Sequence, residues 1–229
     1  MEESSLRSNS IVQRYNKVNT EFWQTKKDLH FSLLHSPPPN LNRKIDSKHI
    51  YKLSKNEDGK NVNERTIYEI GSISKVFTSL LLAEMVAEGK MNLDDPIEKY
   101  LPNIQVPDYK GVKITLKHLA THNSGLPRLP DNLNLGEDPE NPYAHYDGKM
   151  LLDFLGEYKL LHEPGTKHEY SNLGAGLLGY ILTKENGMSL EDLFQKKVGD
   201  KIQNKNTVIT LSAEQKEKYL PKLCSGEYS

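Results

Sequence analysis

Apolar residues recur at helical spacing most clearly in one stretch, where Val76, Phe77, Leu80, Leu81, Met85 and Val86 share one side of a 3.6-residue period. A helix is therefore expected to begin near Ser72 and to close at Gly89, which has no Cβ to resist a left-handed C-terminal cap. Leu93-Asp94-Asp95-Pro96-Ile97 reads as a turn opening a short helix through Tyr100, closed by Leu101-Pro102. Thr115 caps a helix from Leu116 to about Thr121, and further helices are expected at 149–161, 173–186 and 189–198. Ser189 with Asp192 starts the last of these, and Ser212-Ala213-Glu214-Gln215 is a capping box for a final helix.

Before residue 66 the pattern is poor. Ile11 to Phe31 could form one helix, and Ser36-Pro37-Pro38-Pro39-Asn40 then breaks any regular element. His49 to Leu53 alternates like a weak strand ahead of the turn Asn56-Glu57-Asp58-Gly59-Lys60, and Thr66 to Ile70 is a second short strand candidate. Two weak strands do not make a sheet, so the chain reads as a poorly defined region over 1–65 and a mainly helical domain over 66–229. A segment rich in Pro, Asn and Asp from Asn123 to Asp147 reads as a long loop, and loops of that length in compact domains tend to carry function or lack order.

Composition narrows the class without naming it. At 229 residues, 36% hydrophobic and 27% charged, the chain can bury a real core. A net charge of -1 supplies no basic field for nucleic acid. Cys224 is the only cysteine, which rules out an intrachain disulfide. The acidic, polar opening Met1-Glu2-Glu3-Ser4-Ser5 lacks a signal-peptide pattern, so the default expectation is a cytoplasmic protein without a membrane span.

Candidate chemistry begins at Gly71-Ser72-Ile73-Ser74-Lys75. Ser72 and Lys75 lie three apart at the start of the predicted helix, so hydroxyl and ammonium share a face near unpaired backbone N–H groups. That arrangement can build a serine nucleophile without histidine. The same residues also suit an N-cap and a solvated lysine, and a Ser-x-x-Lys pattern is common by chance. Tyr170-Ser171-Asn172 is the second candidate: Tyr170 and Asn172 flank one residue, so in an extended segment both side chains can enter one cleft. A phenol beside an ammonium ionises more easily and can take a hydroxyl proton. Alternatively, Asn172 caps the next helix.

Taken together, Ser72, Lys75, Tyr170 and Asn172 resemble the serine β-lactamase and penicillin-binding family, in its class C and esterase-like branch. The likeness extends over Glu69 to Thr78, Gly89 to Ile97, Ile114 to Pro127 and Pro164 to Gly179. It implies an α+β chain of the β-lactamase/transpeptidase-like fold, an antiparallel sheet with flanking helices joined to a mostly helical part, with the site between them. It also implies Ser72 as the acylated nucleophile, Lys75 as the group that lowers its pKa, and Tyr170 as general base and acid. Asn172 is then expected to hydrogen-bond Lys75 and the substrate amide, and no cofactor is called for.

The family's third motif, Lys-Thr-Gly or His-x-Gly, does not occur after Asn172. The resemblance therefore implies a chain truncated before that motif, with an incomplete sheet and no second oxyanion-hole donor, a loss of roughly 2.7–4 kcal/mol in catalysis. The face formed by Val76, Phe77, Leu80 and Leu81 would lose part of its cover, and a second chain could complete the sheet. Two readings follow: a serine hydrolase acting on a small-molecule or peptidoglycan-like ester or amide, or a non-catalytic relative serving as a binding module or left by gene decay. His118 and His122, four apart, lack the glutamate of a zinc-protease motif, so metal binding is not expected. His162 and His168 read as surface residues, Asp94-Asp95 as a turn, and Tyr143 and Tyr146 as loop residues that line the cleft or pack the loop down.

Overall fold

A computed structural model describes residues 70–134 and 143–218, all within the compact unit Leu53–Ser229. The expected helix at 11–31, both strand candidates and Cys224 lie outside the described residues, apart from Ile70. Among the described residues the chain is mostly helical. Its elements are α1 (Ser74–Ala87), a hairpin of β1 (Asp108–Tyr109) and β2 (Val112–Lys113), α2 (Leu116–Ala120), α3 (Gly148–Glu157), α4 (Asn172–Asn186), α5 (Leu190–Phe194) and α6 (Ala213–Lys218).

The core gathers around α4. This helix buries Leu173, Leu177, Leu178, Ile181 and Leu182, and packs against α1, α2 and α5. From α1 it meets Leu81, Leu82 and Met85; from α2, Leu116 and Leu119; from α3, Leu151, Phe154 and Leu155 complete the cluster. Each fully buried side chain of this size contributes about 1.5–3 kcal/mol relative to exposure, so α4 anchors everything that touches it.

The predicted caps form as the local chemistry requires. Gly89, at φ +71, ends α1 with Lys90 N–H donating to the Met85 carbonyl and Gly89 N–H to that of Val86, both at 3.0 Å. Thr115 Oγ1 accepts from His118 N–H while His118 Nδ1 accepts from Thr115 N–H, so a histidine does the work of the usual Glu or Gln. Ser189 Oγ accepts from Asp192 N–H, and Ser212 and Gln215 cap one another reciprocally. Asp95 closes the 92–95 turn, where its carboxylate accepts from Asn92 N–H, Lys99 and the Tyr100 hydroxyl. The Tyr100 and Lys99 bonds hold this carboxyl at about 2.

Several expectations need correction. Ser72 is not in the first α-helical turn: Gly71–Ile73 form a 3-10 turn, and α1 starts two residues later, at Ser74. The helix expected over 149–161 stops at Glu157, because Tyr158 turns extended and Leu160 leaves the helix to pack over Gly125. The helix expected over 189–198 is α-helical only to Phe194 and continues as a π turn through Gly199. Asn172 does not cap α4; Ser171 does, its Oγ accepting from Gly174 N–H at 2.8 Å. The 108–113 hairpin was not expected. Lys110 and Gly111 both take positive φ, the two-residue turn that suits a hairpin, and Asp108 accepts from Gly111 N–H.

The cover of α1 is uneven. Leu81 is buried, and Phe77 meets Phe194 edge-on at 4.9 Å, whereas Val76 and Ile73 are exposed. The C-terminal end of α1 is tied down by ions: Lys197 and Lys90 bind Glu88, and Lys201 binds Glu84. Hydrogen bonds from Lys197 and Lys90 hold the Glu88 carboxyl at about 2.

Candidate active site

Ser72 lies on the exposed 3-10 turn that leads into α1, entered through Gly71 at φ +49. That backbone costs an L-residue about 1–2 kcal/mol, which accounts for glycine there. One turn later, Lys75 donates from Nζ to Ser72 Oγ at 3.2 Å. Tyr170 reaches the same oxygen from 98 positions away and donates its hydroxyl proton at 2.7 Å. Lys75 Nζ also sits 5.0 Å from the Tyr170 ring centroid. Three of the four predicted site residues therefore meet at one atom, Ser72 Oγ.

Asn172 stands at the start of α4, where it lines a groove of about 580 Å³ together with Lys75, Thr78 and Phe77. Its Oδ1 is buried with no hydrogen-bond partner, so the expected bond to Lys75 is not formed. The helix start fixes the Asn172 backbone while leaving the side chain to face the groove, and an unsatisfied buried carbonyl costs about 1–3 kcal/mol until a donor arrives.

Tyr170 is held by its neighbours on both sides. Glu169 N–H donates to the His122 carbonyl at 2.7 Å, and Ser171 N–H donates to His122 Nδ1 at 3.2 Å. The His122 ring lies on the Tyr170 ring at 4.6 Å. To serve both contacts His122 adopts φ +57, strained for a non-glycine residue. Ser171, almost fully buried, donates from Oγ to the Pro127 carbonyl at 2.6 Å. The Arg128 carbonyl accepts the N–H groups of Asn172 and Leu173.

The charges favour an ionisable phenol. Burial alone would push Tyr170 upward, but hydrogen bonds with Lys75 and Ser72 and the nearby Lys75 and Arg128 charges together bring it below its usual value. Burial lowers the His122 pKa, and the His168 and Lys75 charges add to this, so its ring is neutral near pH 7 and Nδ1 can accept. Burial likewise lowers His118.

The remaining candidates have other tasks. His118 serves the α2 cap, His162 pairs with Glu169, and the Tyr146 hydroxyl shares its one proton between Asn132 Oδ1 and the Met150 carbonyl, packing its loop down. Burial pushes Tyr146 up to about 12, and Tyr143 is exposed. Among the described residues no helix is long and apolar enough to cross a membrane. Sequence reasoning missed Ser171, Arg128 and the packing role of His122. Only a small polar loop, His122-Asn123-Ser124-Gly125, marked the place, and histidine is among the few non-glycine types enriched at positive φ.

The family model for Beta-lactamase matches residues 42–220. The chain belongs to the beta-lactamase family. A beta-lactamase of Escherichia coli K12 is 32% identical over 69% of this chain and 39% of its own length. The D-alanyl-D-alanine-carboxypeptidase/endopeptidase AmpH of the same organism is also 32% identical, over 69% of this chain and 41% of its own. The chain thus spans about two fifths of the length of these curated relatives. Among solved structures, a beta-lactamase/D-alanine carboxypeptidase from Yersinia pestis complexed with citrate superposes with a TM-score of 0.67 and 30% identity, covering 72% of this chain and 46% of that one. The mostly helical α+β arrangement is accordingly that of the β-lactamase/transpeptidase-like fold.

Proposed function

We propose that this chain is a serine hydrolase that cleaves an amide or ester through an acyl-Ser72 intermediate. The observation that carries this reading is the meeting of Lys75 Nζ and Tyr170 OH on Ser72 Oγ, at 3.2 and 2.7 Å. Once ionised, the Tyr170 oxygen takes the Ser72 proton and Ser72 Oγ bonds to the substrate carbonyl carbon. The carbonyl's bond to its leaving group then breaks, and Tyr170 returns the proton to that group. Water next attacks the acyl carbon, giving its proton to Tyr170, and Ser72 leaves as the hydroxyl when that proton returns to it. The Lys75 ammonium stabilises the phenolate throughout. Asn172 Oδ1, buried and unpaired, accepts from a substrate amide N–H. Relatives named as a beta-lactamase and a D-alanyl-D-alanine-carboxypeptidase/endopeptidase support a small amide or a cell-wall peptide as substrate.

Treating the protein with a fluorescent penicillin or a fluorophosphonate, followed by peptide mass spectrometry, tests the reading. A covalent adduct on Ser72, absent from Ser72→Ala, is expected. Labelling of wild type no greater than that of Ser72→Ala would leave the non-catalytic binding role in its place.

A further inference from the structure

The backbone at His122 lies in the left-handed region, at φ +57, as do Gly125 at +80 and Gly165 at +89. A glycine enters that region freely, whereas a histidine does so only where its surroundings over-determine the conformation. Here they do. Asn123 N–H donates to the His118 carbonyl at 3.1 Å, the Asn123 carbonyl accepts from Gly165 N–H at 2.7 Å, and the His122 carbonyl accepts from Glu169 N–H at 2.7 Å. All of these are main-chain bonds, which a glycine at 122 would make equally well. What a glycine would lack is the imidazole, whose contacts converge on Tyr170. Its Nδ1 accepts from Ser171 N–H at 3.2 Å, and its ring centroid lies 4.6 Å from that of Tyr170.

We propose that His122 is the positioning residue of Tyr170, keeping its hydroxyl on Ser72 Oγ by accepting from Ser171 N–H and packing its ring on the phenol. The assignment rests on the hydrolase reading above only for the reaction that this placement serves. A backbone N–H can only donate, so Nδ1 carries a lone pair and the proton of the neutral ring sits on Nε2. Burial, with the His168 and Lys75 charges, keeps the ring neutral near pH 7. The carbonyl and Nδ1 of one residue thus grip the chain on either side of Tyr170, at Glu169 and at Ser171. The bonds to the Pro127 and Arg128 carbonyls hold the chain only after Tyr170. The phenol oxygen stands at the far end of a rigid ring, so a small rotation about the Cα–Cβ bond would carry it beyond its 2.7 Å reach of Ser72. An imidazole packed on that ring resists the rotation. Lys75 and Arg128 approach the same ring at 5.0 and 5.5 Å, but their charges end long, flexible side chains that fix its tilt poorly.

The test uses the full chain with carbon-13 at the tyrosine Cζ positions and follows the Tyr170 phenol by NMR titration, its signal assigned by its absence from Tyr170→Phe. In the wild type, burial raises this phenol, but its bonds with Lys75 and Ser72 and the Lys75 and Arg128 charges bring it below the ordinary tyrosine range. His122→Asn suits a left-handed backbone and sets Oδ1 where Nδ1 stood, so Tyr170 is expected to stay below that range. His122→Gly keeps the backbone but removes acceptor and ring, so Tyr170 is expected to leave Ser72 and titrate at the ordinary tyrosine value, with circular dichroism unchanged. A phenol that stays low in His122→Gly overturns the assignment, as does one that returns to the ordinary value in His122→Asn, or a His122→Gly variant that unfolds. Covalent labelling of Ser72 is read separately: His122→Gly slows it by about 10², the scale of a small misplacement, and His122→Asn regains most of the rate. Labelling of His122→Gly at the wild-type rate also overturns the assignment. A wild type that is not labelled at all sinks the hydrolase reading instead, and the titration still decides the role of His122.

Discussion

Tyr170 sits in a backbone fastened on both sides, whereas Ser72 stands on an exposed 3-10 turn whose side-chain bonds come only from within the site. On the tyrosine side, His122 accepts from Glu169 and Ser171, Pro127 accepts from Ser171, and Arg128 accepts from Asn172 and Leu173. On the serine side, the turn has no side-chain cap, and among the described residues Ser72 Oγ is met by Lys75 and Tyr170 alone. The difference teaches that Tyr170 is preorganised by the helical core, while the Ser72 hydroxyl is aligned largely by Lys75 and Tyr170; under the proposed function these are the base and the nucleophile. Placing the proton acceptor accurately is the harder task, because proton transfer requires hydrogen-bond reach.

Three substitutions probe this contrast. Tyr170→Phe removes the acceptor and should slow acylation of Ser72 by about 10²–10⁴, with little change in stability, read from labelling rates and a denaturant titration. In the wild type the labelling rate rises with pH as the phenol ionises, and this rise falls below the ordinary tyrosine range because Lys75 and Arg128 lower the Tyr170 pKa against the opposing effect of burial. Ser171→Ala strikes the fastened side. It strands the Pro127 carbonyl and the Gly174 N–H in a buried place, and should cost about 2 kcal/mol in denaturant unfolding. Gly71→Ala strikes the free side. Among the described residues nothing lies within 4 Å of the added Cβ, so the cost is backbone strain, about 1–2 kcal/mol. Equal stability losses for Ser171→Ala and Gly71→Ala would erase the contrast.

What the sequence made legible follows the range of the interactions. The Thr115, Ser189 and Ser212 caps were readable because the capping oxygen and its N–H donor lie three residues apart, and α1 because its apolar period repeats within one segment. The meeting of Ser72, Lys75 and Tyr170 was expected from the resemblance. Spacing alone could not have joined residues 98 apart. Ser171 and Arg128 were missed because their work depends on contacts 44 positions or so away, with no periodic signal. The early end of α3 escaped because Leu160 is drawn to Gly125 by packing, which overrides local helix propensity. The hairpin escaped because two-residue strands are too short to show alternation. The expected Asn172–Lys75 bond failed for a related reason: fixing a backbone at a helix start does not fix the rotamer of its side chain.

The Arg128 carbonyl, by accepting two N–H groups of α4, ties the length of the segment before it to the position of Tyr170. Between His122 and Arg128 every residue counts, since inserting or deleting one would drag Tyr170 away from Ser72. Beyond Arg128, the described residues are tied to the start of α3 instead, through Asn132, Tyr146 and Asp147. A change of length between His122 and Arg128 is therefore expected to part the Tyr170 hydroxyl from Ser72, whatever the two groups do together.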